Sequence, residues 1–473
     1  MRIYLDWNIY KIHKSDSIPG LSDALDDLRG KALFPYSPAH IDDARKMLES
    51  EKGKSFFKSD LDYLFNISGE YILNYDGERV QLQLGHPLDY HKSTPNEQCF
   101  FQDFSIGAVF DEIGDAAEEL GVNGVSEIFK QAFSLTPGFV GENDLETAYP
   151  DVPLFQSKNG WEIMENMFPF VEQLTYNRDF YFNFSNTFRD VEIQVDKNSG
   201  NWLPEEVIPK INDLLRKTNT SFEELISIPG QPEEKNWFKK FYSAWLMLDW
   251  LGYKRDKLKN RNSTMKNIVN DLNHAFYGAH CAMLVTDDAN LRAKAKALYD
   301  YWRIETRILS PREFLPYAHQ LLTASRTNDI DLFATILQIT TDAESEYTFK
   351  FMNFHYRAWK IEGYVLNHFN VILESPTPFT DRRIALVRQE ATLEGGLFYE
   401  EARMLAEECF RLFGGDDELA NTDQIIDDFT FSRTNKIRWN FSDVQISLFR
   451  SPQGVALFYD SRHDIKNLKV YNT

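Results

Sequence analysis

Acidic side chains follow two predicted β-strands of this 473-residue sequence, close to the point where each strand ends. Asp6 comes directly after a short strand at residues 2–5, and Asp287 and Asp288 follow a strand at 282–285. Ligands of open parallel sheets bind outside the carboxyl ends of the strands, so carboxylates delivered there would meet in one crevice. Like charges raise one another's pKa, and hard divalent cations relieve that repulsion. The sequence therefore predicts a site, formed by carboxylates, for a hard divalent cation such as Mg²⁺.

Two more carboxylates are placed on predicted helices. Asp43 lies six residues after Ser37 on a helix that begins there, and Asp42 is a rival for the same role. Asp271 lies on the helix that precedes the second of the two strands. The alternative for each acid taken alone is that it caps a helix N-terminus, which aspartate does well. Acids at matching strand ends favour a shared site over separate caps.

The elements that would carry these acids alternate between strand and helix. Apolar spacing and cap residues predict a strand at 2–5, a helix at 21–29, a strand-like apolar run at 32–36, a helix from Pro38, a helix at 263–280, a strand at 282–285, a helix at 290–301, a strand at 306–309 and a helix from Pro311. Such alternation is typical of strand–helix–strand units with parallel pairing. The predicted fold class is α/β with a parallel sheet.

The rest of the chain has a different character. Residues 51–254 read as mostly helical, with a β-hairpin at 71–84, and are predicted to be an insertion into the α/β domain. Residues 328–473 are rich in β formers with one amphipathic helix, which predicts a separate α+β domain. That domain carries no catalytic motif, so we expect it to regulate or target the first one. A chain ending near Ser325 is therefore predicted to fold and stay active.

In their order and spacing, these segments resemble the PIN-like nuclease superfamily. The resemblance rests on Ile3-Tyr4-Leu5-Asp6-x-Asn8, on Ser37-x-x-His40-x-x-Asp43, and on Asp271 followed by Leu284-Val285-Thr286-Asp287-Asp288. It covers about residues 1–50 and 255–320, and implies that 1–50 and 255–325 are the two parts of one PIN-like domain. The sequence departs from the family pattern by having Asp43 where glutamate is commoner, and by the length of the stretch between the two parts.

The resemblance implies a metal-dependent nuclease, with an endoribonuclease favoured over a deoxyribonuclease because most PIN-like nucleases act on RNA. Carried over by position, the catalytic and metal-binding acids would be Asp6, Asp43, Asp271 and Asp288, with Asp287 as a neighbouring ligand, and Asn8, Ser37 and Thr286 as supporting groups. His40 and His274 lie near these acids, and each is either a buried histidine bonded to a carboxylate or a ligand or general base. Mg²⁺ or Mn²⁺ would activate water and stabilise charge on the scissile phosphate, without a covalent intermediate.

The chain is acidic overall and basic in one segment. Its net charge of -21, from 51 basic and 72 acidic side chains, excludes a protein that coats nucleic acid by bulk electrostatics. Residues 254–312 instead carry 12 basic and 6 acidic side chains. This segment either contacts a polyanion or is an ordinary helix surface. The residues predicted to contact nucleic acid are Lys254, Arg255, Lys257, Lys259, Arg292 and Lys294.

The composition predicts a folded, soluble protein. With 43% hydrophobic and 26% charged residues the chain can bury a large core, which excludes wholesale disorder. Its apolar runs are far shorter than the roughly 20 residues that cross a bilayer, and the first residues show no signal-peptide pattern. We therefore expect a cytoplasmic protein with no membrane contact, whose partners are nucleic acid and either a regulatory protein or a second copy of the chain.

Two other functions are compatible with the same residues. A PIN-like module could bind nucleic acid or a protein without cutting. Asp6-Trp7-Asn8 also faintly resembles haloacid-dehalogenase-like phosphatases, which have a second aspartate at the position of Asn8. A nuclease domain joined to a motif-free C-terminal domain is typical of regulated effectors, which suggests a bacterial toxin or a phage-defence protein.

Overall fold

The computed structural model describes residues 1–77, 79–94, 131, 149–150, 152–187, 199–216, 220–227, 237–255, 265–324, 347–351, 354–366, 368–374, 383–388, 398–414, 422–441, 444–451 and 454–461. Lys257 and Lys259 lie outside these residues. Contacts divide the chain into two compact units. Unit one comprises Met1–Pro87, His274–Ala295 and Tyr299–Thr473, and unit two comprises Leu88–Asn273 and Lys296–Leu298. Within the described part, no helix combines the length and the apolar character needed to cross a bilayer.

The described strands all belong to unit one, whereas the described helices occur in both units. In chain order the strands are β1 (Ile3–Leu5), β2 (Tyr71–Tyr75), β3 (Val80–Leu84), β4 (Met283–Val285), β5 (Arg307–Leu309), β6 (Tyr347–Phe351), β7 (Phe354–Val365), β8 (Phe369–Glu374), β9 (Arg383–Val387), β10 (Lys436–Asn440), β11 (Val444–Ser451) and β12 (Gly454–Ser461). The helices are α1 (Trp7–Ser15), α2 (Leu21–Leu28), α3 (Pro38–Arg45), α4 (Glu51–Ser68), α5 (Pro87–Ser93), α6 (Gly160–Tyr176), α7 (Arg178–Thr187), α8 (Pro204–Leu215), α9 (Phe222–Ile226), α10 (Trp237–Trp250), α11 (Met265–Gly278), α12 (Ala289–Trp302), α13 (Pro311–Ala324), α14 (Tyr399–Phe413) and α15 (Thr422–Thr430).

Three short strands of unit one form a parallel sheet in the order β1-β4-β5. Leu5 pairs with Val285, and Val285 pairs with Leu309, so the three strands end in line. Every residue of β1 and β4 is buried, and all except Tyr4 are aliphatic or methionine, which is the pattern of parallel strands covered on both faces. The predicted mixed α/β class and its parallel sheet are confirmed. Asp6 and Thr286 consequently follow adjacent strands at the same edge of the sheet.

The apolar run at 32–36 does not form the continuous second strand that the sequence predicts. Leu33 makes a single bridge to Arg2, whereas Tyr36 bridges to Ile72 of β2. The run changes neighbours between these two points, so it keeps neither partner long enough to form a ladder. Both bridges are parallel, and the run still ends at Ser37, where α3 begins.

The C-terminal part of unit one forms a separate antiparallel sheet of seven strands, in the order β10-β11-β12-β9-β8-β7-β6. The helices α14 and α15 pack on this sheet, and their apolar faces share one core with its strands. Phe369 and Leu386 from the strands and Leu405 and Phe429 from the helices are among the buried residues of that core. The mixed strand and helix content predicted for residues 328–473 is present.

A buried ion pair links the segment before β1 of the parallel sheet to helix α14, which packs on the antiparallel sheet. Arg2, directly before β1, places its Nε 3.1 Å from the carboxylate of Glu401 on α14, and Arg388 donates to the same carboxylate at 2.9 Å. The side chains of Arg2 and Glu401 are 1% and 0% exposed. Burial disfavours the charged form of Glu401, but the charges of Arg2 and Arg388 outweigh it and hold the pKa of Glu401 well below its usual range. Glu401 is therefore ionised, and its neighbours depend on that charge.

The described residues of unit two are mostly helical. Its helices α7 and α10 share a buried hydrogen bond in which Tyr181 donates to Asp249 at 2.6 Å. The helical character predicted for most of residues 51–254 is visible here. The predicted hairpin at 71–84 is formed by β2 and β3, which pair antiparallel within unit one.

Candidate functional site

Asp6 lies at the junction of β1 and α1, where the chain leaves the parallel sheet. It occupies the N-cap position of α1, yet its side chain makes no capping hydrogen bond. Its Oδ2 instead accepts hydrogen bonds of 2.6 Å from both Asn8 Nδ2 and Thr286 Oγ1. Burial raises the pKa of Asp6, although the charge of His274 and the Thr286 hydrogen bond act in the opposite direction. The capping alternative therefore does not account for Asp6.

Asn8 and Thr286 connect the chain segments that follow β1 and β4. The Thr286 hydroxyl donates to Asp6 and accepts a hydrogen bond of 3.1 Å from the backbone N–H of Asp288. The Asn8 side-chain carbonyl accepts a bond of 3.2 Å from the backbone N–H of Asp287. These bonds fix the Asp6 carboxylate from two sides. Both residues are thus placed to orient it.

Asp43 is positioned through the first turn of α3. Ser37 is the extended N-cap residue and Pro38 the first helical residue, a pair that favours a helix start. The backbone N–H of Ser37 donates to His40 Nδ1 at 3.0 Å, and His40 Nε2 donates to the Leu5 carbonyl at 2.7 Å. Burial lowers the pKa of His40 to about 3, so this side chain is neutral and anchors α3 to β1. His40 is a buried structural histidine.

His274 stands between the carboxylates of Asp6 and Asp43. Its Nε2 lies 3.0 Å from Asp43 Oδ2 and 3.6 Å from Asp6 Oδ1. Burial acts to lower the pKa of His274, but the charges of Asp6 and Asp43 outweigh it and raise the pKa. Burial acts to raise the pKa of Asp43, and the His274 hydrogen bond together with the charge of Lys46 brings it below its usual range. Two carboxylates and an imidazole therefore share one buried position.

The spacing of these three side chains fits a metal ion. One ligand atom from each of Asp6, Asp43 and His274 lies within 4.8 Å of the other two. An octahedral ion about 2.1 Å from its ligands separates neighbouring ligand atoms by about 3.0 Å, which is the distance observed between His274 Nε2 and Asp43 Oδ2. Oxygen and imidazole nitrogen donors suit divalent cations of the Mn²⁺ and Zn²⁺ kind. Within the described ranges no second group of three or more such side chains occurs.

The two acids after β4 take different positions. Asp288 caps α12, since its Oδ1 accepts the backbone N–H groups of Asn290 and Leu291 at 2.7 and 2.9 Å. Asp287 is exposed. Neither carboxylate belongs to the cluster of three. The capping alternative describes the bonds that Asp288 makes here, and the metal-binding roles of both acids stay predictions.

The remaining acids also lie outside the cluster. Asp42 pairs with Arg45 one turn along α3, at 3.2 Å. Asp43, and not its rival Asp42, is the acid that meets His274. Asp271 lies on α11 three residues before His274, in the part of that helix that belongs to unit two. Its predicted role as a ligand stays a prediction.

The described residues that were predicted to contact nucleic acid differ in their exposure and in their contacts within the protein. Arg292 lies close to the cluster, where its guanidinium donates to the Thr286 carbonyl at 2.6 Å. Lys294 is only 1% exposed, which leaves it little surface for a phosphate contact. In unit two, Arg255 donates to a neighbouring asparagine at 2.6 Å and lies over a phenylalanine ring. Lys254 lies over the ring of the preceding tyrosine.

Two residues contact the cluster although the sequence predicted no functional role for them. Lys46 places its Nζ 2.8 Å from Asp43 Oδ1, and Tyr4 places its hydroxyl 3.0 Å from His274 Nδ1. Local spacing carries a signal for both. Lys46 follows Asp43 by three residues, a helical distance at which opposite charges meet. Tyr4 precedes Asp6 by two residues, so the two side chains leave a strand on the same face.

Comparison with known proteins gives this chain no relative, because no family model, no curated protein and no solved structure matches it. The resemblance to PIN-like nucleases thus rests on motif order and spacing. The geometry around Asp6, Asp43 and His274 is the basis for a functional assignment.

Proposed function

We propose that this protein is a divalent-metal-dependent nuclease with a PIN-like domain, in which Asp6, Asp43 and His274 hold the metal ion. The proposed substrate is RNA in preference to DNA, following the resemblance. One observation carries the proposal: side chains from sequence positions 6, 43 and 274 come within 4.8 Å of one another beside the carboxyl ends of two parallel strands. That edge is where open parallel sheets bind their ligands.

Residues around the three proposed ligands orient the Asp6 carboxylate and place a positive charge where a phosphate could bind. Asn8 and Thr286 occupy Oδ2 of Asp6, which leaves Oδ1 on the side of His274. The Lys46 side chain is 31% exposed beside Asp43, so it is placed to contact an incoming phosphate as well as the carboxylate. The chemistry supplied by a bound divalent cation would be the lowering of the pKa of a water molecule and the stabilisation of charge on phosphate oxygens.

The donor set also bears on which cation binds. Carboxylates and water suit Mg²⁺, whereas an imidazole nitrogen favours transition metals. A site with one histidine and two carboxylates is therefore expected to bind Mn²⁺ more tightly than Mg²⁺. The acids favoured Mg²⁺, the resemblance implied Mg²⁺ or Mn²⁺, and the position of His274 is the reason for expecting Mn²⁺ to bind more tightly.

The proposal is tested by incubating the purified full chain with labelled single-stranded RNA and with DNA of the same sequence. Mn²⁺, Mg²⁺ and EDTA are compared in parallel. We expect cleavage of RNA with Mn²⁺, slower cleavage with Mg²⁺ and none with EDTA. Cleavage that persists undiminished in EDTA would contradict a metal-dependent mechanism.

The two alternative functions give different results in the same experiment. A non-catalytic binding module would bind Mn²⁺ and retain RNA without producing fragments. A phosphatase of the haloacid dehalogenase type would leave RNA intact, hydrolyse a small phosphate ester and form an acyl phosphate on Asp6. Mass spectrometry after rapid acid quenching detects that adduct.

Substitution shows which of the two acids after β4 contributes more to metal-dependent cleavage. We expect Asp288→Asn to slow metal-dependent cleavage more than Asp287→Asn, because Asp288 holds the position that the resemblance assigns and lies beside Thr286. Asparagine caps helices about as well as aspartate, so neither variant should change the midpoint of urea unfolding. Cleavage rates and unfolding curves of the two variants provide the measurement. The reverse order of rates would show that Asp287 is the acid that matters.

A further inference from the structure

Behind the cluster of Asp6, Asp43 and His274 lies a buried row of polar groups. The Tyr4 hydroxyl lies 3.0 Å from His274 Nδ1, 2.6 Å from Ser37 Oγ and 3.4 Å from His40 Nδ1. Tyr4, Ser37 and His40 are each 0% exposed, so the proton positions in this row are decided by the groups themselves and not by bulk water.

His40 fixes one end of the row. The Leu5 carbonyl can only accept a hydrogen bond, so the proton of the neutral His40 ring is on Nε2. Its Nδ1 already accepts the backbone N–H of Ser37 at 3.0 Å. His40 therefore has no proton to offer Tyr4, and the row runs from His274 through Tyr4 to Ser37.

At the other end of the row, His274 needs a hydrogen-bond acceptor for one of its ring nitrogens. Its Nε2 faces the two carboxylates, so this is the nitrogen whose lone pair would bind a cation. A neutral imidazole that binds through Nε2 carries its proton on Nδ1, and that N–H needs an acceptor. The Tyr4 oxygen at 3.0 Å can accept it, and the Tyr4 hydroxyl can at the same time donate a hydrogen bond to Ser37 Oγ at 2.6 Å.

We propose that Tyr4 is a positioning residue that accepts the Nδ1–H of His274 and thereby presents Nε2 of that histidine to the metal ion. The inference rests on the proposed function, since it requires that His274 is a metal ligand. Partners of this kind orient metal-binding histidines, and their loss typically lowers metal affinity or activity by about 10–100-fold.

The test uses Tyr4→Phe, which keeps the buried ring and removes the hydroxyl. The matched control is Tyr10→Phe: Tyr10 is also buried and packs its ring on His40, and its hydroxyl has no hydrogen-bond partner among the described residues. Zn²⁺ is the probe because it is diamagnetic. Calorimetry gives its affinity, and NMR of protein labelled with ¹⁵N-histidine gives the Nδ1–H proton resonance of the loaded His274.

We expect Tyr4→Phe to lower Zn²⁺ affinity by about 10–100-fold and to move the Nδ1–H resonance upfield, as the loss of a hydrogen bond requires. Tyr10→Phe should change neither quantity. Both changes are needed, and an unchanged resonance or an unchanged affinity in Tyr4→Phe would overturn the inference. If Tyr4→Phe does not fold, the Zn²⁺-loaded wild type decides, because binding of Zn²⁺ through Nδ1 of His274 instead of Nε2 would overturn the inference.

The wild-type measurement distinguishes a failure of the proposed metal site from a failure of the role proposed for Tyr4. If the wild-type chain binds neither Zn²⁺ nor Mn²⁺ through His274, the proposed metal site is wrong and the role of Tyr4 falls with it. If the wild type binds Zn²⁺ through His274 and Tyr4→Phe binds it equally well, the metal site stands and only the role of Tyr4 is rejected.

Discussion

Asp6→Asn is expected to abolish metal-dependent cleavage while leaving the fold intact. The substitution removes one of three ligands and its charge, whereas the loss of a mere partner of a ligand already costs about 10–100-fold in metal affinity. We therefore expect Mn²⁺ affinity to fall by more than about 100-fold. The asparagine can still accept from Thr286, and circular dichroism in EDTA should match the wild type. Calorimetric titration with Mn²⁺ and the RNA cleavage assay provide the measurements.

The matched control for this prediction is Asp62→Asn, which removes the same charge from an exposed position on α4. It should retain most of the Mn²⁺ affinity and of the activity. Full cleavage by Asp6→Asn would remove Asp6 from the site, and an equal loss in both variants would show that overall charge, and not ligation, governs the reaction.

Among the substitutions considered, Glu401→Gln is expected to lower the free energy of unfolding the most. It leaves Arg2 and Arg388 buried without the carboxylate that both contact. Breaking a buried pair by removing one partner costs about 3–5 kcal/mol, a large share of the stability of an ordinary domain. Urea unfolding should show a correspondingly lower free energy of unfolding. Cleavage should suffer too, since Arg2 directly precedes β1, the strand that carries Tyr4 and ends at Asp6.

Glu400→Gln is the matched control, because Glu400 precedes Glu401 on α14 and its side chain is 43% exposed. A change within about 0.5 kcal/mol is expected there. Equal stability of the two variants would mean that the buried pair contributes nothing. The same contact argues against the sequence-based expectation for a chain ending near Ser325, since such a chain would leave Arg2 without Glu401.

Local rules were sufficient for the part of the site that lies on single elements. A three-residue apolar strand followed by aspartate placed Asp6, and the Ser-Pro helix start placed Asp43 on α3. Choosing between the two histidines required the structure. His40 and His274 are equally close to acids in sequence, but packing turns His40 towards the Leu5 carbonyl and His274 towards the carboxylates. Helix rotation of this kind is set by tertiary contacts and leaves no mark in a single sequence.

The contacts that the sequence missed are long-range or depend on burial. Arg2 and Glu401 are 399 positions apart, and no local pattern links them. The short run at 32–36 looked like a strand because its residues are apolar, but hydrogen-bond partners and not hydrophobicity decide whether a ladder forms. Tyr4 was part of a sequence motif, but only the distance from its hydroxyl to His274 Nδ1 indicates what its side chain does.

The pairing of β1 with β4 has a consequence for how the protein is made. The first strand is synthesised about 280 residues before its neighbour Met283 is added. At roughly 5–20 residues per second, the interval is on the order of tens of seconds. For most of that time Asp6 and Asp43 have been synthesised, but His274 has not. The three proposed ligands therefore cannot come together before His274 has been added, and the proposed cleavage of RNA cannot begin earlier.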